Sequence, residues 1–182
     1  AQWAPSFFSR SHGMATSEIG TWLAFIIGFS QISAIYLGGV LADYLTKRDM
    51  RLPLWMSSLA MTISIPFFVG AYTADQAQSA LFLLFPALFF VSLQGATLYA
   101  VVQNVASVRN RSVAAAILVL FFNLVGGLGP QIIGIASDLL APSFGDESLR
   151  YALLTMTVAA VLWTALHFFL AARTIRMDVE SD

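Results

Sequence analysis

The sequence predicts an all-α membrane protein with five transmembrane helices. Of its 182 residues, 58% are hydrophobic and only 10% are charged, whereas a soluble domain is typically about 25% charged. The hydrophobic residues fall into five runs that are long enough to cross a bilayer. Such a chain cannot cover itself with a polar surface, so its outside is expected to face lipid.

Five spans and their flanks define the predicted organisation. The spans cover residues 19–41, 53–72, 79–102, 113–137 and 151–172, and the longest loop covers residues 138–150. Residues 1–14 combine Trp and Phe with polar residues, so we expect them to lie at a membrane interface as the remnant of a preceding helix. Residues 15–173 are predicted to form one helical bundle, and residues 174–182 a cytoplasmic tail. The glycines and proline of residues 126–131 are expected to bend or loosen the fourth span.

The distribution of basic residues predicts the orientation. Seven of the nine Lys and Arg residues fall in the loops 43–52 and 103–112 and in the C-terminal segment from Arg173 onwards. Because cytoplasmic loops are enriched in Lys and Arg, these segments are predicted to be cytoplasmic and the N-terminus to lie outside. The chain is therefore expected to be a multi-pass protein of the cell membrane.

Small residues recur every four positions along the first span. One stripe consists of Gly20, Ala24 and Gly28, and a second of Ser30, Ala34, Gly38 and Ala42. Because small side chains let another helix approach closely, both stripes are predicted to be helix-packing surfaces.

Several classes of function are excluded or disfavoured by what the sequence lacks. It contains no cysteine, which excludes thiol catalysis and cysteine-based zinc sites. The sequence shows no hydrolase or metalloprotease motif and no ionised side chain deep within a span. We therefore predict no catalytic residues, no cofactor and no metal, and the net charge of −1 does not favour nucleic acid as a partner.

Polar side chains within the predicted spans are the candidate substrate-binding residues. Gln31, Gln94 and Asn123 carry amides that must find partners inside the membrane. They either line a solute cavity or join helices through hydrogen bonds, and the sequence leaves both interpretations open. The cavity interpretation adds the hydroxyl groups of Tyr36 and Tyr99 to the same surface.

A charged group follows the first span. Asp43 is followed by Lys47, Arg48 and Arg51 within a few residues. These residues lie too close to water to bind a solute deep in the membrane, but they could exchange ion-pair partners as helices move. The alternative is an ordinary basic cytoplasmic turn.

Three groups of residues resemble the major facilitator superfamily. The run Gly38-Gly39-Val40-Leu41-Ala42-Asp43, followed by Arg48 and Arg51, resembles a loop motif that recurs between helices 2–3 and 8–9 of that family. Residues 3–20 resemble the segment between helices 7 and 8 of its spinster-like branch. Gln103-Asn104, Gly129-Pro130 and Ser137-Asp138 resemble helices 10 and 11 of that branch.

The resemblance implies that the five spans are family helices 8 to 12, an incomplete six-helix C-terminal bundle. In this family two such bundles hold the substrate between them and expose it to either side in turn. The resemblance also implies that Asp43, Arg48 and Arg51 belong to a cytoplasmic gate. Tyr44 departs from the motif, which commonly has a basic or polar residue there.

The predicted function is therefore part of a secondary active transporter for a small organic or lipid-like solute, with protons as a candidate coupling ion. Its expected partners are the bilayer, the solute and a missing N-terminal bundle. The alternative is a small multi-pass scaffold or subunit with no transport activity.

Overall fold

The structure, a computed structural model, describes the backbone of residues 2–179 and the side chains of residues 2–175. Seven α-helices account for almost all of this part of the chain. They are α1 (Ala4–His12), α2 (Thr16–Thr46), α3 (Leu52–Thr73), α4 (Ala77–Ser92), α5 (Gly95–Val105), α6 (Arg111–Phe144) and α7 (Ser148–Val179). The five predicted spans lie within these helices except for Leu93 and Gln94 of the third span, which confirms the predicted fold class. Residues 180–182 of the predicted tail lie outside the described residues, whereas residues 174–179 extend α7.

Four continuous helical stretches within the described residues are long and apolar enough to cross a membrane. The first two are α2 and α3, the third comprises α4 and α5 over Ala77–Val105, and the fourth runs over Arg111–Ile175. The fourth stretch contains both α6 and α7, which pack against each other on either side of a sharp corner. Each predicted span therefore retains a helix of its own.

The predicted loop over residues 138–150 is wrong. Helix α6 continues through Pro142 to Phe144, and only a 3₁₀ turn over Gly145–Glu147 separates it from α7. A proline within a helix removes a backbone hydrogen bond to the preceding turn. Here the helix ends two residues after Pro142, at Phe144, and is followed by Gly145, whose φ of 55° is readily adopted only by glycine.

The core is formed where α3 packs against α4 and α7. Apolar side chains such as Leu54, Phe68 and Leu149 are almost completely buried there. Ser58 of α3 donates its hydroxyl hydrogen to the carbonyl oxygen of Ala165 on α7 at 2.9 Å, a buried bond between helices that are distant in the sequence. The opposite surfaces of the helices expose large apolar side chains, as expected for contact with lipid or with another bundle.

One of the two predicted packing stripes is confirmed. Ser30, Ala34, Gly38 and Ala42 are all buried on α2. Gly38 lies so close to the backbone of Leu93 that an added Cβ would overlap its carbonyl oxygen. Gly20 and Gly28 of the other stripe have no neighbouring atom near a Cβ position, so that stripe packs against nothing within the described residues.

Candidate solute-binding and gating surfaces

A large apolar groove runs through the bundle. Its volume is about 1090 Å³, and α3, α4, α5, α6 and α7 all contribute to its walls. Along α3 it extends from Leu54 to Tyr72, about 27 Å at the rise of an α-helix, which is nearly the thickness of a bilayer core. Its lining contains no Asp, Glu, Lys or Arg. The groove thus offers apolar contact over the full length of a membrane-spanning helix.

Gln94 places an amide on this groove at a break in the third predicted span. The helix stops at Ser92 and resumes at Gly95, leaving Leu93 and Gln94 in a turn. The Gln94 side-chain oxygen is buried and accepts no hydrogen bond from the described residues. A buried polar atom without a partner is expensive, so this oxygen is a candidate to receive a donor from another helix or from a solute.

The other four candidate residues do not line this groove. Tyr36 and Tyr99 are exposed on α2 and α5, at 70% and 42% of their surface. Asn123 is exposed on α6 and donates from its amide nitrogen to the carbonyl oxygen of Val119 at 2.8 Å, a bond within its own helix. Gln31 is half-buried on α2. The structure therefore does not bring the five candidates into one pocket, and their role stays a prediction.

The charged group after α2 is arranged around Tyr44. Arg48 lies over the Tyr44 ring, 4.6 Å from its centre, and also donates to its hydroxyl oxygen. Within the described part of the chain, Asp43 is exposed and makes no ion pair with Arg48 or Arg51. The tyrosine that departs from the family motif thus contacts the arginine that the resemblance assigns to the gate.

Sequence reasoning missed the break at Leu93 and Gln94. Helices α3 and α4 continue through Pro66 and Pro86, so neither proline marks the position of this break. The available signal was Gly95, because glycine within an apolar run lowers helix propensity. The run of residues 126–131 also remains helical within α6.

Comparison with known proteins places this architecture among membrane transporters. No family model matches the chain. An MFS-type efflux pump of Mycolicibacterium smegmatis is 31% identical over 178 residues, which are 97% of this chain and 41% of that protein. A hexuronate transporter of Bacillus subtilis is 25% identical over 169 residues, 88% of this chain and 39% of that protein.

Solved structures show the same fold. Two crystal structures of a bacterial homologue of the human lysosomal transporter Spinster, inward-facing and either occupied or unoccupied, are 24% identical with TM-scores of 0.79 and 0.80. This chain covers 45% and 43% of those chains.

The fold and the matches define a multi-pass membrane protein built like one half of a transporter, not an enzyme. Over 97% of its length the chain is similar to a transporter of the major facilitator (MFS) type. It spans about two fifths of the length of the curated relatives that it matches.

Proposed function

We propose that the complete protein is a secondary active transporter and that this chain is its C-terminal bundle. It would move a small organic or lipid-like solute by alternating access between two bundles. The observation that carries this proposal is a half-transporter fold whose membrane amides lie on α2, at the α4–α5 break and on α6. The assignment to the C-terminal half and to the spinster-like branch rests on the sequence motifs around residues 3–20 and 38–51.

The apolar groove supports the presence of a further helix. Protein interiors are close-packed, so a groove of about 1090 Å³ is not expected to stay empty. Ala4, at the start of α1, lies at the groove. An apolar helix that continues α1 backwards along α3 and α7 would fill it and complete a six-helix bundle.

The solute is proposed to contact the side chains that this completed bundle leaves open. These are the candidates Gln31, Tyr36, Gln94, Tyr99 and Asn123, with Asp43, Arg48 and Arg51 as gating residues. The groove lining contains no Asp, Glu, Lys or Arg, and its one titratable imidazole is that of His167. A charged group of a solute is therefore proposed to be recognised by the N-terminal bundle. The basic loops are proposed to face the cytoplasm. Residues 1–14 are proposed to lie at the outer surface of the cell membrane.

Cysteine accessibility tests the candidate surface, and the absence of native cysteines in this chain makes single substitutions easy to interpret. Each candidate is replaced by cysteine in the complete protein and treated with a water-soluble methanethiosulfonate reagent. Leu59 on α3 and Leu162 on α7 serve as matched controls because they are 61% and 51% exposed on helices expected to face lipid.

The transporter proposal predicts that the candidate positions react and that both controls are protected. Protection of all the candidates would contradict a wet cavity and leave only a role in helix contacts. Protection of Gln94 alone would assign its amide to the contact with the preceding helix. A scaffold without transport activity would show no reactivity at any of these positions from either side of the membrane.

A second experiment tests the need for the other bundle. Residues 1–182 alone are expected to give no saturable solute uptake in proteoliposomes, because one bundle cannot alternate access. The complete protein is the positive control. Saturable uptake by the 182-residue chain would overturn the two-bundle proposal.

A further inference from the structure

A polar cluster lies at the end of the bundle opposite the basic loops. It consists of His12 of α1, Asp75 of the α3–α4 turn, Glu147 of the 3₁₀ turn and Arg150 of α7, which we call the histidine junction. Glu147 and Arg150 form an ion pair of 2.6 Å. The cluster therefore joins three separate connections of the bundle through charged or titratable side chains.

His12 is half-buried at this junction and packs against two aromatic rings. Its ring lies edge-on to Phe7 at 5.2 Å and tilted against Phe8 at 5.6 Å, and both phenylalanines are almost fully buried. Its Nε2 atom is buried and has no hydrogen-bond partner among the described residues. The Arg150 guanidinium lies over the Phe7 ring, 5.9 Å from its centre.

We propose that the histidine junction is an acid-sensitive contact that holds α1 against the α3–α4 and α6–α7 connections at neutral pH and releases it on acidification. The proposal concerns the packing of α1 and holds whether or not the protein transports a solute. It assigns a function to a titratable group that the candidate solute surface does not use.

The charges around His12 give the direction of the effect. Burial and the neighbouring Arg150 lower the pKa of His12 below its ordinary value of 6.5, although the Glu147 and Asp75 charges and the Asp75 backbone favour the protonated ring. Helix α2 also packs against α1, but its first-turn acid, Glu18, is exposed. Burial is the largest of these effects, so the packed site favours neutral histidine.

The sign of the pH dependence follows from proton binding. In a released junction His12 is solvated and its pKa returns to about 6.5. The released state then binds more protons than the packed state below this pH, so acidification favours release. The contact is fully present above about pH 6.5 and is lost as the pH falls through the lower pKa of the packed histidine.

A thiol beside His12 can report release. The Ser11 hydroxyl is buried and has no hydrogen-bond partner among the described residues, so cysteine is a near-isosteric replacement. Ser9 is exposed on the same helix, and a cysteine there measures the intrinsic reactivity of a thiol at each pH. The complete protein is reconstituted in nanodiscs, treated with N-ethylmaleimide, and each labelled peptide is quantified by mass spectrometry.

The expected result is a several-fold rise in the ratio of Ser11→Cys to Ser9→Cys labelling as the pH falls from about 8 to 5. The rise should vanish in His12→Gln and remain in His167→Gln, since the chain contains only these two histidines. A flat ratio in the parent protein, or a rise that persists in His12→Gln, would overturn the proposal.

If α1 is released at every pH in His12→Gln, that variant cannot test the pH dependence. The variant Asp75→Asn keeps the histidine and can still test it. Asp75→Asn removes a carboxylate that favours the protonated ring, so it should move the labelling transition to lower pH. An acidward shift supports the proposal. An unchanged transition in Asp75→Asn would contradict the arrangement of charges on which it rests.

Discussion

Gly38 of α2 lies directly against the peptide group of Leu93, in the two-residue turn between α4 and α5. A Cβ at Gly38 would overlap the Leu93 carbonyl oxygen and lie 3.2 Å from its carbonyl carbon. The missing side chain therefore lets α2 approach the backbone at the α4–α5 break. This contact fixes the break, and with it the position of Gln94, against a neighbouring helix.

The first prediction concerns this contact. Gly38→Ala should destabilise the complete protein by about 1–3 kcal/mol, because the extra methyl group meets backbone that cannot rotate away. Thermal unfolding in detergent, followed by tryptophan fluorescence, measures the effect. Gly39→Ala is the matched control, since its Cβ would meet only the Ala96 side chain at 3.8 Å. Equal stability of the two variants would contradict the close approach.

The second prediction compares two adjacent serines. Ser58→Ala should lower the free energy of unfolding by about 0.6–1.7 kcal/mol, because Ser58 donates to α7 across the helix interface. Ser57 is also buried, but it donates to Pro53 within its own helix at 2.9 Å. Ser57→Ala should therefore have a smaller effect in a titration with sodium dodecyl sulfate. If Ser57→Ala lowered the free energy of unfolding more than Ser58→Ala, the hydrogen bond between α3 and α7 would be contradicted.

The third prediction concerns the anchor of α1. The Trp3 indole nitrogen donates to the Pro130 carbonyl oxygen at 2.8 Å, and its ring would lie 3.4 Å from a Cβ at Gly134. Trp3→Phe keeps an aromatic ring but removes this bond, so it should destabilise the protein by about 1 kcal/mol. Trp22→Phe is the control because Trp22 is 43% exposed and does not line the groove. Indistinguishable thermal unfolding of the two variants would argue against the anchor.

The fourth prediction concerns the corner between α6 and α7. Gly145→Ala should cost about 1–3 kcal/mol from backbone strain alone, since Gly145 has a φ of 55° and no atom near its Cβ position. Gly127 also has open space around it but is helical, so Gly127→Ala should not destabilise the protein. Unfolding in denaturing detergent distinguishes the two. A stable Gly145→Ala variant would mean that the corner is not held in this conformation.

The fold could be predicted because hydrophobic run lengths determine membrane spans. The prediction of a loop over residues 138–150 was wrong because polar residues and Pro142 are compatible with either a loop or the last turn of a helix. The stripe ending at Ala42 was predicted correctly from small-residue spacing. The same spacing at Gly20 and Gly28 produced no contact, because spacing alone does not say whether a partner helix is present.

The candidate site was less predictable. Gln94 could be selected as a membrane amide, but its break depends on a contact with Gly38, which is remote in the sequence. The histidine junction could not be predicted either. His12, Asp75 and Arg150 come from α1, the α3–α4 turn and α7, and no sequence pattern indicates that these three segments meet.

The hydrogen bond between Ser58 and Ala165 has a consequence for biogenesis. Helix α3 leaves the ribosome long before α7. During synthesis the Ser58 hydroxyl is therefore in the membrane before its acceptor, the carbonyl oxygen of Ala165, has been made. The contact between α3 and α7 can form only after α7 has been inserted. Nascent chains that stop short of α7 would expose the α3 face, and membrane chaperones or proteases would meet them in that open state.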